Sequence, residues 1–177
     1  MINPKHKKFL FLLSAGILAG GIIAFFFLPK ESNAPQTFDW LTSIDQRQKI
    51  SFDYPPAFDT AYIVPVDWPP QAILMNIPFT CTEAGIETGR AGETKIETIK
   101  GTEYCITTVS EGAAGSIYTQ YTYTFPKNGK QIVFAFSIRK LQCDNYEEDK
   151  KEECKEEQDS FSINTIIDKM ASTLQEF

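Results

Sequence analysis

Histidine is almost missing from this chain of 177 residues: His6 is the only one, and the 171 residues after it contain none. That excludes catalytic arrangements that need an imidazole base and zinc sites built with histidine. No CxxC pair, no DxDxDG calcium loop and no glycine-rich loop leading into a helical pattern occurs, so no metal and no cofactor is expected. Basic residues are also scarce where they would matter. Residues 38–177 carry 13 lysines and arginines against 22 acids, a net charge of −9 beneath the −6 of the whole chain. An acidic body repels phosphate backbones, so nucleic acid is not an expected partner.

What the chain does have begins at its N-terminus. Residues 1–8 are basic, with Lys5, Lys7 and Lys8 and no acid, and residues 9–28 form an unbroken uncharged run of 20. At about 1.5 Å per residue that run makes a helix of about 30 Å, the thickness of a bilayer's hydrocarbon core. The pattern predicts a cytoplasmic tail over 1–8, a transmembrane helix over 9–28 with the lipid bilayer as its partner, and a linker over 29–38. An extracytoplasmic domain over 39–177 completes the chain. The lysine excess before the helix places the N-terminus inside and the body outside. Gly16, Gly20 and Ala24 share one face of that helix, a spacing that lets membrane helices approach closely. A cleaved export signal is the competing reading. Ser32-Asn33-Ala34 is its nearest cleavage site, and Pro35 follows directly. Either way the body is exported.

All four cysteines, Cys81, Cys105, Cys143 and Cys154, lie in that body. An even count in an oxidising compartment predicts two disulfides. Three pairings are open, and proximity along the chain favours Cys81 with Cys105 and Cys143 with Cys154.

The body reads as α+β: an antiparallel sheet packed by a C-terminal helix. Trp40, Leu41 and Ile44 suggest a short helix or turn. Residues 49–54 alternate, with Ile50, Phe52 and Tyr54 on one face of a strand. Residues 61–66 read as an edge strand, and residues 71–79 as a third strand with Ile73, Met75, Ile77 and Phe79 in phase. A long loop is expected over 82–94, strands over 95–99 and 102–109, and a small-residue turn over Glu111–Gly115. Residues 116–125 put Ile117, Tyr121, Tyr123 and Phe125 on one face. Asn128-Gly129 suits a tight hairpin turn. Residues 131–141 follow as a central strand covered on both sides, with Ile132, Phe134, Phe136 and Ile138 on one face. The acidic stretch 144–159 reads as a solvated loop pinned by a disulfide. Phe161, Ile163, Ile166, Ile167, Met170 and Leu174 then recur at helical spacing.

Two runs carry a resemblance. Ile50-Ser51-Phe52-Asp53-Tyr54-Pro55-Pro56-Ala57-Phe58 resembles the F-x-Y-P opening strand of PsbP-like exported domains, which implies an antiparallel sheet packed by helices. The closing half, from Gly112-Ala113-Ala114-Gly115 through Gln142-Cys143-Asp144-Asn145-Tyr146 to the last helix, is similar to uncharacterised membrane-anchored exported bacterial proteins. Neither likeness transfers a functional residue.

No catalytic residue is assigned. Ser137-Ile138-Arg139-Lys140 has SxxK spacing but falls on a strand, and Glu111–Ser116 reads as a connection between strands rather than an anion site. Asp144, Glu147, Glu148 and Asp149 offer oxygen ligands for calcium without the loop spacing calcium needs. Trp68, Tyr118 and Tyr121 are the candidate ligand surface. Together these features imply a non-enzymatic binding or assembly module anchored in the cell envelope, with an envelope protein or glycan as partner. A glycan hydrolase using paired carboxylates and a calcium-responsive adhesion domain are the alternatives.

Overall fold

The computed structural model describes residues 39–85 and 92–177. Four long strands form a meander whose turns are two residues each. β5 (Glu93–Ile99), β6 (Thr102–Ala113), β7 (Ser116–Lys127) and β8 (Lys130–Leu141) are joined through Lys100-Gly101, Ala114-Gly115 and Asn128-Gly129. Both residues of every turn have positive φ, from 46° to 90°, matching the right-handed twist of the strands they join. Gly115 has a second constraint, because a Cβ there would lie 2.9 Å from Nδ2 of Asn145. The strand order is β3-β8-β7-β6-β5, with β3 (Ile63–Pro65) and β4 (Gln71–Met75) sharing the far edge of β8. A smaller antiparallel sheet, ordered β1-β2-β9, is built from β1 (Leu41–Asp45), β2 (Ile50–Tyr54) and β9 (Gln175–Glu176).

The core lies between the inner face of the large sheet, β2 and the helix α2 (Ile163–Thr173). Alternation along β8 puts Ile132, Phe134, Phe136 and Ile138 inward, each 2% exposed or less, and the register brings Tyr123 and Phe125 of β7 beside them. α2 contributes Ile163, Ile167, Met170 and Ala171, and its N-cap Ser162 accepts from the Thr165 amide. Two tyrosines carry their hydroxyls into this core and find partners on α2. Tyr104 donates to Asp168 at 3.0 Å, and Tyr123 donates to Asn164, which in turn donates to Glu97 at 2.7 Å. Burial raises the phenols of Tyr104, Tyr121 and Tyr123 above their ordinary value of 10.0.

Several expectations need correcting. The expected fold class set an N-terminal transmembrane helix before a sheet and one C-terminal helix. Among the described residues no helix is long and apolar enough to cross a membrane, and the helix expected over 9–28 lies outside those residues. The sheets are two, not one, and two helices follow β8, with β9 returning after them to complete the small sheet. The acidic stretch is not a loop. Residues Glu148–Ser160 form the helix α1, preceded by a 3-10 turn at Cys143–Asn145. α1 has no apolar stripe and is polar all round, so tertiary ties replace the usual burial. These are the Cys143–Cys154 disulfide, the Glu157 carboxylate accepting from the Ala61 and Tyr62 amides at 2.7 Å each, and Gln158 Nε2 donating to the Leu141 carbonyl at 2.7 Å.

Residues 41–45 are a strand rather than a helix or turn, because they ladder fully onto β2. β4 has the opposite phase from that expected. Ala72 and Leu74 stand opposite Phe134 and Ile132 and face the core, while Met75 and Ile77 are exposed. β8 is central, but Val133, Ala135 and Ser137 on its second face are only half-buried, and β6 runs on through Gly112 to Ala113. Ile117 is 40% exposed rather than inward with Tyr123. The edge strand expected over 61–66 is present but shorter, at Ile63–Pro65, and the Asn128-Gly129 turn and both proximity-favoured disulfides, Cys81–Cys105 and Cys143–Cys154, are as expected.

Two measurements follow from these contacts. Replacing both Cys143 and Cys154 by serine frees a short loop and should cost about 2–3 kcal/mol, read as a lowered denaturant midpoint with α1 melting first. The buried phenols have folded pKa values above their unfolded ones, so their contribution is intact below pH 10.0 and is lost as pH rises further. An absorbance titration of tyrosinate should therefore show these phenols ionising together with unfolding. Ionisation while near-ultraviolet dichroism stays native would contradict their burial.

Candidate functional site

The face of the large sheet turned away from α2 is only partly covered. After β4 the chain crosses it: the Thr80 amide donates to Gln131 on β8, Cys81 bonds Cys105 on β6, and Ala84 pairs with Thr94 on β5. Cys105 lies between the inward Tyr104 and Ile106, so alternation turns it outward to meet this strap. The strap covers the end of the sheet near the Asn128-Gly129 turn. Among the described residues nothing crosses the other end.

On that open half the partner of β8 changes. β3 pairs with Ile138–Lys140 and the Val66 amide still reaches the Ser137 carbonyl at 2.9 Å, but pairing resumes only at Gln71 opposite Ala135. Residues 67–70 bulge away between these points, across the cis Trp68–Pro69 bond. Trp68 anchors the bulge. Its ring lies edge-on to Phe58 and Phe136 with centroids at 5.0 and 5.4 Å, and its Nε1 donates to the Pro55 carbonyl at 2.7 Å.

Two neighbouring depressions flank the bulge, and Asp67 and Gln120 line both. One, about 470 Å³, is walled by Trp68, Pro69, Gln71 and Phe136. The other, about 350 Å³, is walled by Val66, Val109, Glu111, Tyr118 and Ser137. Register explains the second set. Val109, Gln120 and Ser137 form one cross-strand row over β6, β7 and β8, and Glu111 and Tyr118 belong to the next. The surface offers an amide, a hydroxyl, a phenol and two carboxylates, which can hold a ligand by hydrogen bonds and ring contact.

Of the three residues expected to form a ligand surface, two meet here. Trp68 and Tyr118 line adjacent depressions, though the indole serves chiefly as a wedge. Tyr121 does not join them. It sits three residues from Tyr118, and on a strand an odd spacing means opposite faces. Its ring stacks on Phe136 and Tyr123 at 5.3 and 6.0 Å, partly buried against the core. Asp67, Glu111 and Gln120 were not foreseen as a group. The signal was the polar alternation of β7 and β8 opposite their aromatic face.

The remaining candidates separate. Ser137 and Lys140 have opposite parity on β8 and so lie on opposite faces of the sheet. Glu111 and Gly112 belong to β6, leaving Ala114-Gly115 as the turn. Asp144, Glu147, Glu148 and Asp149 cluster at the start of α1, where Asp144 bonds Lys151 at 2.8 Å. That hydrogen bond holds the Asp144 carboxyl below its usual range and raises the lysine. Among the described residues no group of three or more histidine, cysteine, aspartate or glutamate side chains could hold a metal ion.

No model of a known protein family matches the chain, and no curated protein matches it.

The two aromatic residues of the surface should separate by substitution. Trp68→Ala removes a wedge against Phe58 and Phe136 and should cost about 3 kcal/mol in a denaturant melt. Tyr118→Ala should stay within about 0.5 kcal/mol of the parent. Equal losses would assign both rings to the core.

Proposed function

We propose that this chain is a membrane-anchored, extracytoplasmic binding or assembly module of the cell envelope, and that it recognises its partner on the open face of the large sheet. The anchor in this reading is the uncharged run 9–28, with the lysine-rich residues 1–8 on the cytoplasmic side. Two disulfides in the body support an oxidising compartment. The observation that carries the binding assignment is the pair of depressions sharing Asp67 and Gln120, beside a sheet face that the Cys81 strap leaves bare. Hydroxyl-rich glycan or a polar protein segment suits its amide, phenol and carboxylates. The module binds without turning anything over.

One arrangement favours a second reading. Asp67 and Glu111 line the same depression, and paired carboxylates are the machinery of glycoside hydrolysis. That reading expects Asp67→Asn with Glu111→Gln to abolish release of reducing ends from purified cell-wall glycan.

The binding reading is tested with the full chain in detergent, comparing the parent with Tyr118→Ala plus Gln120→Ala for retention on cell-wall glycan and on detergent-extracted envelope proteins. Retention of one ligand by the parent and its loss in the double variant, with melting unchanged, is the expected result. Equal retention by both proteins would remove the open face from the site.

A further inference from the structure

Open strand edges expose unpaired backbone groups and are normally blocked. Three edges here are. On β5 the Thr94 amide and carbonyl pair with Ala84, and the Ile96 amide donates to Glu83. On β4 the outward Leu74 amide donates to Gln48 Oε1 at 3.2 Å. On β3, Pro65 has no amide proton, and the Ile63 carbonyl accepts from the Thr60 hydroxyl.

β1 is different. In β2, the Asp53 amide donates to Thr173 Oγ1 and the Lys49 carbonyl accepts from the Phe177 amide, so odd-numbered residues of β2 point away from β1. The ladder therefore uses Ile50, Phe52 and Tyr54 against Asp45, Ser43 and Leu41. The amides and carbonyls of Thr42 and Ile44 point the other way, and none has a partner among the described residues. Leu41 and Ile44, on opposite faces of this short strand, are 47% and 59% exposed. A groove of about 440 Å³ opens beside β1, lined by Ile44, Asp45 and Arg47, with Phe52 and Ala72 across it.

We propose that the free edge of β1 pairs antiparallel with β1 of a second copy of this chain, joining the two small sheets into one. The sequence of the edge is complementary to itself. A two-fold axis at Ser43 sets Thr42 opposite Ile44 of the second copy, so residues whose backbone groups point outward meet each other. The same register carries Asp39 towards Arg47 of the second copy, and symmetry makes that contact twice. Asp39 is exposed, and neither it nor Arg47 is in an ion pair among the described residues. This charge match selects a second copy over an arbitrary extended peptide. The pairing does not depend on what the open face of the large sheet binds.

The test uses full-length protein in detergent, carrying Ser43→Cys as its only unpaired cysteine. Two Ser43 positions across the axis form a non-hydrogen-bonded pair with Cα atoms about 4.5 Å apart, within disulfide reach. Mild oxidation should give a covalent homodimer. Thr42→Pro, which removes an outward amide that β2 does not use, should abolish that product while leaving melting and the native disulfides intact. Asp39→Lys should weaken it about tenfold, and adding Arg47→Glu should restore it. Restoration by the charge swap is decisive even if the proline variant fails to fold. A thiol that stays free, a cross-link to a different protein, a dimer that survives Thr42→Pro in a folded protein, or no rescue by the swap would overturn the pairing.

Discussion

The register of β7 on β8 is the constraint from which most of the molecule follows. Asn128-Gly129 allows a single tight closure, and from it twelve residues of each strand run in step, from Lys127 opposite Lys130 to Ser116 opposite Leu141. A slip of one residue would turn one strand over relative to the other, so that either Tyr123 and Phe125 or Phe134 and Phe136 would face water. With the register set, one face becomes an aromatic bed that α2 and β2 must cover. The other becomes the polar surface that carries the two depressions. Core and candidate site are thus the two sides of one alternation. This is why Tyr118 and Tyr121, close in sequence, have unrelated roles.

Where local pattern and tertiary environment agree, the chain could be read directly. β2, β8 and α2 each show a clean period and a single buried face, and the Asn-Gly turn has a steric reason of its own. Reading failed where the period was right and its phase ambiguous. In β4 both sets of alternate residues are apolar, Ala72 and Leu74 against Ile73 and Met75, and it is the smaller pair that faces inward, opposite Phe134 and Ile132. The candidate site was half legible. Trp68 and Tyr118 announce themselves as aromatics, whereas Asp67, Gln120 and Glu111 come together only through cross-strand rows and a bulge, which no stretch of local sequence encodes.

α1 shows the limit most clearly. Its thirteen residues have the composition of a solvated loop and bury only Cys154, yet they form a helix. Acids at its first turn, Glu148 and Asp149, favour the positive end of the helix dipole, but that effect is small and local. The larger part comes from three points of attachment, a disulfide to the 3-10 turn and hydrogen bonds to the residues before β3 and to the end of β8, gathered around the small cluster of Tyr62, Cys143 and Cys154. Periodicity detects helices that bury a stripe and is blind to one held at its corners.

Those corners have a bearing on maturation. Cys154 and Glu157 lie three residues apart on α1, one holding the Cys143 disulfide and the other clasping the Ala61 and Tyr62 amides at the start of β3. Oxidation of a thiol pair and closure of the sheet's β3 end are thereby one mechanical event. A reduced chain would complete its meander and aromatic core but leave that seam unlatched, with the helix free to fray. Latching that seam therefore calls for an oxidant as well as for the polypeptide.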